Sequence, residues 1–292
     1  MVQIICNSCK KQIDVDSLFC KFCGLMVTKN TEDQYDKRMV NIYKKVYKTL
    51  CTNSDYSLTE LKRRFEPYKY YETKKMSDND YYKTLVDIIF FSGFKEVNME
   101  NSIEQTHKYL PDYRKVCNYT QEKINEIKID PTMTLNKFKI DACIWNAKKI
   151  VELVKNYGSM KNYIESFNTD GDDEELYKLK RSLEGNFSYL GGVSTYQFMA
   201  EIGLDVLKPG KEIMRVFRRL GLVENKKDLF GAVKVGRIMS KHTNLPIGLI
   251  DEVFVLYGQP DQDNFICICS DQEPKCDRCG IHSECLYSKS EA

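Results

Sequence analysis

The chain has 292 residues, and its 44 Lys and Arg residues nearly balance its 42 Asp and Glu residues, which leaves a formal net charge of +2. This balance excludes a uniformly basic nucleic-acid-binding protein, so any contact with a polyanion must come from a local patch. A hydrophobic fraction of 42% predicts a globular core, whereas no signal peptide is recognisable and no apolar run is long enough to cross a membrane. We therefore expect a cytoplasmic protein without membrane contact, whose 12 cysteines are reduced and, where clustered, are candidate metal ligands.

The first predicted element is a small metal-binding module in residues 1–30. Four cysteines form two Cys-x2-Cys pairs that are separated by ten residues: Cys6, Cys9, Cys20 and Cys23. Two such pairs hold one Zn²⁺ with four thiolates in a zinc ribbon. Because so short a segment cannot bury a core, metal binding must supply its folding free energy. The sequence therefore predicts a zinc ribbon but does not indicate what the ribbon does.

The body of the chain, residues 35–266, is predicted to be helical. Apolar residues recur at intervals of three and four along seven segments, and Gly or Pro residues separate these segments. No segment of the body alternates apolar and polar residues as a half-buried strand does. The predicted helical segments are 39–50, 81–94, 120–127, 137–158, 194–204, 211–222 and 229–243. We therefore expect an all-α fold.

A helix-hairpin-helix motif is predicted in residues 187–204. One helix should end at Leu190, and a second should begin at Ser194 or Thr195 after a tight turn. Glycine lets the turn approach a ligand closely, and the first amides of the second helix have no intrahelical acceptor, so such a turn binds phosphate. The residues predicted to contact a DNA backbone are Gly191, Gly192, Val193, Ser194, Thr195 and Lys208. Further basic residues follow at Lys211, Arg215, Arg218 and Arg219.

The last predicted element is a cysteine-rich loop in residues 267–288. Its spacing is Cys-x6-Cys-x2-Cys-x5-Cys, formed by Cys269, Cys276, Cys279 and Cys285. Four thiolates on short loops can hold a 4Fe-4S cluster or a single zinc ion, and the spacing alone leaves both open. Cys267 lies two residues before this set and is not assigned to it.

The segment IGLDVLKPGKEIMRVFRRLGL, residues 202–222, follows the hairpin directly. Together with the hairpin and the upstream segments 81–94 and 134–160, it resembles the helix-hairpin-helix DNA glycosylases, and most of all the 3-methyladenine DNA glycosylase I-like branch. The C-terminal cysteine spacing resembles the 4Fe-4S loop of endonuclease III and of the adenine-mispair glycosylases, which form another branch of that superfamily. The N-terminal ribbon belongs to neither branch.

The resemblance implies a two-lobed, all-α glycosylase that acts as a monomer on double-stranded DNA carrying a modified base. Such an enzyme flips the base out of the duplex and hydrolyses its N-glycosidic bond, leaving an abasic site. The implied cofactors are a 4Fe-4S cluster in the C-terminal loop and Zn²⁺ in the ribbon.

Two departures from the family pattern concern catalysis. Tyr196 stands where strand-cutting members have a lysine, so no Schiff base and no lyase activity is expected. Gly210 stands where the superfamily has its aspartate, and Glu212 replaces a histidine two residues later. The carboxylate must then come from elsewhere, and the favoured candidate is Asp87, the only acid in the apolar segment 81–94. Glu212 is the second candidate; either could instead be an ordinary surface or first-turn acid.

The predicted base pocket contains Phe91, Trp145, Asn146 and Tyr196. Flipped bases stack on aromatic side chains, and Asn can read a base edge, although each of these residues could equally belong to the core. Two further functions stay open. The glycine at position 210 fits a catalytically inactive protein that recognises modified DNA, and it also fits a glycosylase acting on bulky hypermodified bases of phage DNA, as in phage defence.

Overall fold

The structure is a computed structural model that describes residues 3–5, 11–14, 31–68, 75–91, 100–133, 136–259 and 267–290. Helices dominate these residues, which confirms the all-α prediction for the body of the chain. The helices are α1 (Thr31–Asn53), α2 (Leu58–Phe65), α3 (Asp78–Phe91), α4 (Glu100–Tyr109), α5 (Tyr113–Val116), α6 (Gln121–Ile129), α7 (Lys137–Tyr157), α8 (Met160–Glu165), α9 (Asp173–Asn186), α10 (Val193–Glu201), α11 (Lys211–Arg219), α12 (Leu229–Thr243), α13 (Ile247–Gly258) and α14 (Leu286–Ser290). Single 3₁₀ turns lie at Glu66–Tyr68 and His282–Glu284.

Two short antiparallel strands precede the helices. They are β1 (Gln3–Ile5) and β2 (Gln12–Asp14), with Ile4 paired to Ile13. In the sequence, the two strands lie on either side of the first cysteine pair. The four ribbon cysteines, Cys6, Cys9, Cys20 and Cys23, lie outside the described residues, so the zinc ribbon stays a prediction.

The helices pack in two groups around a continuous apolar core. In the first group, α1 packs against α12 and α13, and α11 packs against α13. In the second group, α7 packs against α3, α5, α6 and α8, and α10 packs against α3 and α9. Buried side chains of both groups belong to one core cluster. The hairpin is part of the second group, and the loop after it leads into α11 of the first.

Helix α3 begins earlier than the sequence pattern indicated. It starts at Asp78, and Ser77 and Asp80 satisfy each other's backbone amides in a capping box, with Ser77 N–H donating to Asp80 Oδ2 at 2.8 Å. Asp78 Oδ1 accepts the Met160 N–H at 2.8 Å and so fixes the start of α3 against α8. Asp87 is therefore one of three acids in this helix and not its only one.

Helix α7 is the long central helix of the second group. Asn136 caps its N-terminus by accepting the Phe138 N–H at 3.2 Å, and Gly158, with a φ of 85°, ends it. Lys139 is buried in its first turn and donates to the Phe90 carbonyl of α3 at 3.1 Å. Burial lowers the pKa of Lys139 because the charged form loses hydration.

Candidate functional site

The predicted helix-hairpin-helix is present, formed by α9, a turn and α10. Two residues of the turn adopt positive φ angles: Tyr189 at 64° and Gly192 at 57°. Gly192, with a ψ of −117°, lies in a region of backbone conformation that side chains rarely adopt. At Gly191 the φ is ordinary and an added Cβ would meet open space. The turn therefore requires glycine at position 192 only.

Two amides of the turn are already occupied. Gly192 N–H donates to Glu184 Oε1 at 2.9 Å, and Gly191 N–H donates to Ser194 Oγ at 3.0 Å. Lys180 lies 3.0 Å from the other oxygen of Glu184 and balances its charge. Gly191 and Gly192 were predicted to contact the DNA backbone, but their amides are not available for this because acceptors within the chain satisfy them. The amides of Val193 and Ser194, at the first turn of α10, are the ones placed to bind an anion.

Asn146 holds the hairpin against α7. Its Oδ1 accepts the Ser188 N–H at 2.8 Å, and its Nδ2 donates to the Ser188 carbonyl at 3.1 Å. The side chain is fully buried. Because both ends of the amide are engaged, Asn146 cannot read a base edge as the sequence suggested. Its role is to position the hairpin.

Of the four predicted base-pocket residues, Trp145 is exposed, whereas Asn146 and Tyr196 are buried in the core. Trp145 is 57% exposed on α7, whereas the neighbouring Asn146 points into the core. Tyr196 is 1% exposed, and its hydroxyl has no hydrogen-bond partner in the described part of the chain. Its ring lies 5.9 Å from the Lys180 ammonium, and burial raises its pKa. The side chain of Phe91 lies outside the described residues.

Gly210 is the N-cap of α11 and has no side chain to cap the helix. A Cβ placed on it would lie 3.3 Å from Glu212 Oε2. The Glu212 side chain is only 13% exposed, and its Cβ packs where a side chain at Gly258 of α13 would otherwise stand. The carboxylate of Glu212 therefore lies beside the position from which a side chain at residue 210 would project.

A second acid contacts the same loop and was not singled out from the sequence. Asp251 of α13 accepts the Lys208 N–H through Oδ2 at 2.5 Å. Burial raises the pKa of Asp251 to about 7, while the hydrogen bond from Lys208 acts in the opposite direction. Its sequence signal is similar to that of Asp87, an aspartate that directly follows apolar residues, here in PIGLIDEV.

Asp87 lies elsewhere, on the exposed side of α3. Its Oδ1 is 2.6 Å from His107 Nε2, and both side chains are one-third exposed. It lines an open cavity of about 500 Å³ together with Lys75, Met76, Asp80, Lys83, Thr84 and Glu201. Asp87 is thus a polar residue paired with histidine, and no contact joins it to Glu212 within the described ranges.

A basic groove connects the hairpin, the loop before α11 and the C-terminal loop. It is a cavity of about 380 Å³ lined by Val193, Pro209, Lys211, Met214, Arg215, Arg218, Lys226, Leu229 and Asp271. The side chains of Arg218 and Lys226 have no ion-pair or hydrogen-bond partner among the residues that the structure describes. The side chain of Lys211 is 86% exposed, and its ammonium lies 3.7 Å from Glu212 Oε1. A groove with this charge next to free helix amides suits a phosphate backbone.

Two of the predicted basic contacts turn inward and hold the C-terminal loop. Arg219 is 8% exposed and donates to Cys269 Sγ at 3.1 Å and to the Ser270 carbonyl at 2.7 Å. Arg215 donates through Nε to the Cys269 carbonyl at 3.0 Å. Neither guanidinium is available as a principal DNA contact. The sequence could not distinguish them from Arg218, which faces the groove.

The four C-terminal cysteines form no disulfide and are partly buried. Tyr257 OH lies 3.1 Å from Cys279 Sγ, and burial raises the pKa of Cys269 while Arg219 opposes that shift. In the described part of the chain, no three His, Cys, Asp or Glu side chains are placed to hold one metal ion. Four thiols on short loops suit either a 4Fe-4S cluster or a zinc ion, so the metal of this loop stays a prediction. Cys267 is buried separately.

Across the described ranges, no helix combines the length and apolar character that crossing a membrane requires.

Comparison with known proteins yields one family match. The model of the methyladenine glycosylase family matches residues 104–206, just over a third of the chain. No curated protein matches the chain. Among solved structures, 3-methyladenine DNA glycosylase I from Staphylococcus aureus is 16% identical, with 50% of this chain and 86% of that chain covered and a TM-score of 0.40.

An 8-oxoguanine glycosylase/lyase from Methanocaldococcus jannaschii, in complex with 15mer DNA containing 8-oxoguanine, is also similar. It is 15% identical, with 74% of this chain and 96% of that chain covered and a TM-score of 0.47. The matched residues 104–206 include α7, the hairpin and the first part of the loop that leads to α11.

Proposed function

We propose that this chain is a monofunctional DNA glycosylase that hydrolyses the N-glycosidic bond of a damaged or modified base and leaves an abasic site. The observation that carries the proposal is the hairpin between α9 and α10, whose free first-turn amides open onto a basic groove beside the loop before α11. The match of residues 104–206 to the methyladenine glycosylase family supports it. The substrate is double-stranded DNA, with phosphates bound at Val193, Ser194 and the groove lysines and arginine.

The geometry favours Glu212 as the catalytic carboxylate. Its Oε2 lies 3.3 Å from the Cβ position of Gly210. A negatively charged group is therefore present beside residue 210 although residue 210 itself is not an aspartate. A carboxylate there would stabilise the positive charge that develops at C1′ of the flipped nucleotide. A water oxygen bonds to C1′ as the bond to the base breaks, and Glu212 takes the proton that the water releases. Asp87, bound to His107, is the weaker candidate.

Base release is proposed to proceed without strand cleavage by a lysine. Tyr196 occupies the position of the lyase lysine, and a phenol cannot form an imine with C1′. Burial keeps this tyrosine protonated and inside the core, so it supports the fold of the hairpin and not the chemistry.

We also propose that the C-terminal loop binds a 4Fe-4S cluster and that the N-terminal cysteines bind zinc. The loop supplies four thiols that are not in disulfides, and the Arg219 guanidinium donates to the first of them. The four residues are Cys269, Cys276, Cys279 and Cys285. The cluster would hold the loop on α11 and α13. The purified protein should contain both iron with acid-labile sulfide and zinc in elemental analysis, and zinc in both sites with no iron would contradict the cluster.

A catalytically inactive protein that recognises modified DNA is the second candidate, because Gly210 stands where the resembled superfamily has its usual aspartate. Action on bulky hypermodified bases gains less support, since the Glu212 carboxylate takes up space beside Gly210 that a large adduct would need.

The test is the release of bases from methylated DNA under single-turnover conditions, with abasic sites counted after alkaline cleavage. Glycosylase activity predicts abasic sites and free base in equal amounts. Tight binding without abasic sites on methylated, oxidised or hypermodified DNA would favour the recognition protein. Release of bases from hypermodified DNA alone would favour a glycosylase that acts on the hypermodified bases of phage DNA.

A further inference from the structure

Two large aromatic side chains on α7 are unusually exposed. Phe138 is 75% exposed and Trp145 is 57% exposed. They are seven residues apart, two helical turns, so they lie on the same face and about 10 Å apart along the axis. Scattered apolar residues on a surface need no explanation, but neighbouring aromatic rings on one face commonly mark a binding site.

This face of α7 is continuous with the hairpin. Asn136, the N-cap of α7, donates through Nδ2 to the hydroxyl of Tyr189 at 3.3 Å, and Tyr189 is 37% exposed at the turn. Asn146, next to Trp145, holds both backbone groups of Ser188. The hairpin thus contacts α7 next to both rings, and Phe138, Trp145 and Tyr189 are together termed the α7 aromatic surface.

Positive charges lie among these rings. Lys137 precedes Phe138, Lys148 is one turn beyond Trp145, and neither lysine has an acidic partner in the ranges that the structure describes. The ammonium of Lys149 lies 5.9 Å from the Trp145 ring and is paired with Glu152 at 2.7 Å. Asp141 lies between the two rings on the same face, and its charge is balanced by Lys128 at 2.5 Å. Aromatic rings interspersed with cations form the kind of surface on which single-stranded nucleic acids stack their bases.

We propose that the α7 aromatic surface stacks unpaired nucleobases of the DNA strand whose phosphates lie on the hairpin. This inference rests on the proposed function. It adds to the phosphate contacts at the hairpin a second contact with DNA, which is selective for unstacked bases. A second copy of the chain is a poor occupant. In a two-fold dimer the surface would face itself, which would bring Lys137 and Lys148 against their own counterparts.

The test uses Trp145 as a reporter, because it is the only tryptophan of the chain. Oligothymidylate, a fully paired duplex and a duplex with an abasic-site analogue are each titrated into the full-length protein, with binding followed in parallel by anisotropy of labelled DNA. We expect tryptophan emission to be quenched by oligothymidylate and by the abasic-site duplex, and to change little with the paired duplex.

Substitutions distinguish base stacking from non-specific DNA binding. Trp145→Ala and Phe138→Ala should each weaken oligothymidylate binding by about tenfold, the usual effect of removing one stacking ring. Trp145→Phe keeps a ring and should retain the affinity. Leu58→Ser removes an apolar side chain of matched exposure (58%) on α2 and should leave binding unchanged.

Unchanged emission and unchanged affinity of both alanine variants, with anisotropy still reporting bound DNA, would overturn the stacking proposal. Self-association of the free protein that Trp145→Ala abolishes would also overturn it. Quenching and weakened variants without any base release would support the surface while the glycosylase proposal fails. Base release without quenching would support the glycosylase proposal while the stacking proposal fails.

Discussion

Replacing Glu212 with glutamine tests where the chemistry of this chain lies. Glu212 Oε2 lies 3.3 Å from the Cβ position of Gly210, where a side chain at residue 210 would begin. A positioned carboxylate that acts as a general base contributes about 10²- to 10⁴-fold to a rate, which corresponds to about 2.7 to 5.4 kcal/mol of transition-state stabilisation. Glu212→Gln should therefore lower single-turnover base release by that factor while DNA affinity stays within about twofold.

The variant Gly210→Asp provides a matched rescue. On its own it would bring a second carboxylate within about 4 Å of Glu212, a repulsion of about 1 kcal/mol in water and about 4 kcal/mol in a partly buried site, so its gain should be small. In the double variant Gly210→Asp/Glu212→Gln this repulsion is absent. We expect the double variant to recover most of the lost activity, and Asp at the N-cap should also stabilise α11 by up to about 1 kcal/mol.

The outcome that would refute this reasoning is full activity of Glu212→Gln. If Asp87→Asn instead abolished base release at unchanged DNA affinity, the carboxylate would be that of α3. If neither substitution lowered the rate, both acids would be structural.

Three further predictions concern the hairpin, the lyase step and pH. Gly192→Ala should destabilise the turn by about 1 to 3 kcal/mol and weaken DNA binding, because the φ of 57° at this position disfavours a side chain. Gly191→Ala should change neither thermal unfolding nor DNA titrations appreciably, because an added Cβ there meets open space. Equal effects of the two variants would contradict the assigned geometry of the turn. Borohydride should trap no covalent complex with DNA, since Tyr196 replaces the lyase lysine; a trapped adduct would show that another amine reacts. Asp251, with a pKa raised from 3.8 to about 7, binds its proton more tightly in the folded state, so its contribution to stability is complete below about pH 4 and is lost as the pH rises towards 7. Chemical denaturation across this range should show that decline in the native protein and a flatter profile in Asp251→Asn.

Several features of this protein follow from the sequence alone, because they depend on neighbours along the chain. The three- and four-residue spacing of apolar side chains predicted the helices. The turn before α10 was predicted from its glycines, and the four-cysteine spacing indicated the candidate cluster loop. The sequence alone also shows that Tyr196 and Gly210 differ from the residues that the resembled superfamily has at these two positions.

Other features depend on which side chains meet across the fold, and only the tertiary structure decided them. Glu184 accepts the Gly192 amide that had been expected to bind phosphate, and Asn146 engages its amide with Ser188. Arg219 and Arg218 are adjacent in the sequence, yet one is buried against Cys269 and the other is exposed. Polar and charged groups can be buried only where a partner satisfies them, and these partners lie eight to fifty residues away in the chain. Helical periodicity indicates which face of a helix is apolar, but it carries no information about such distant partners.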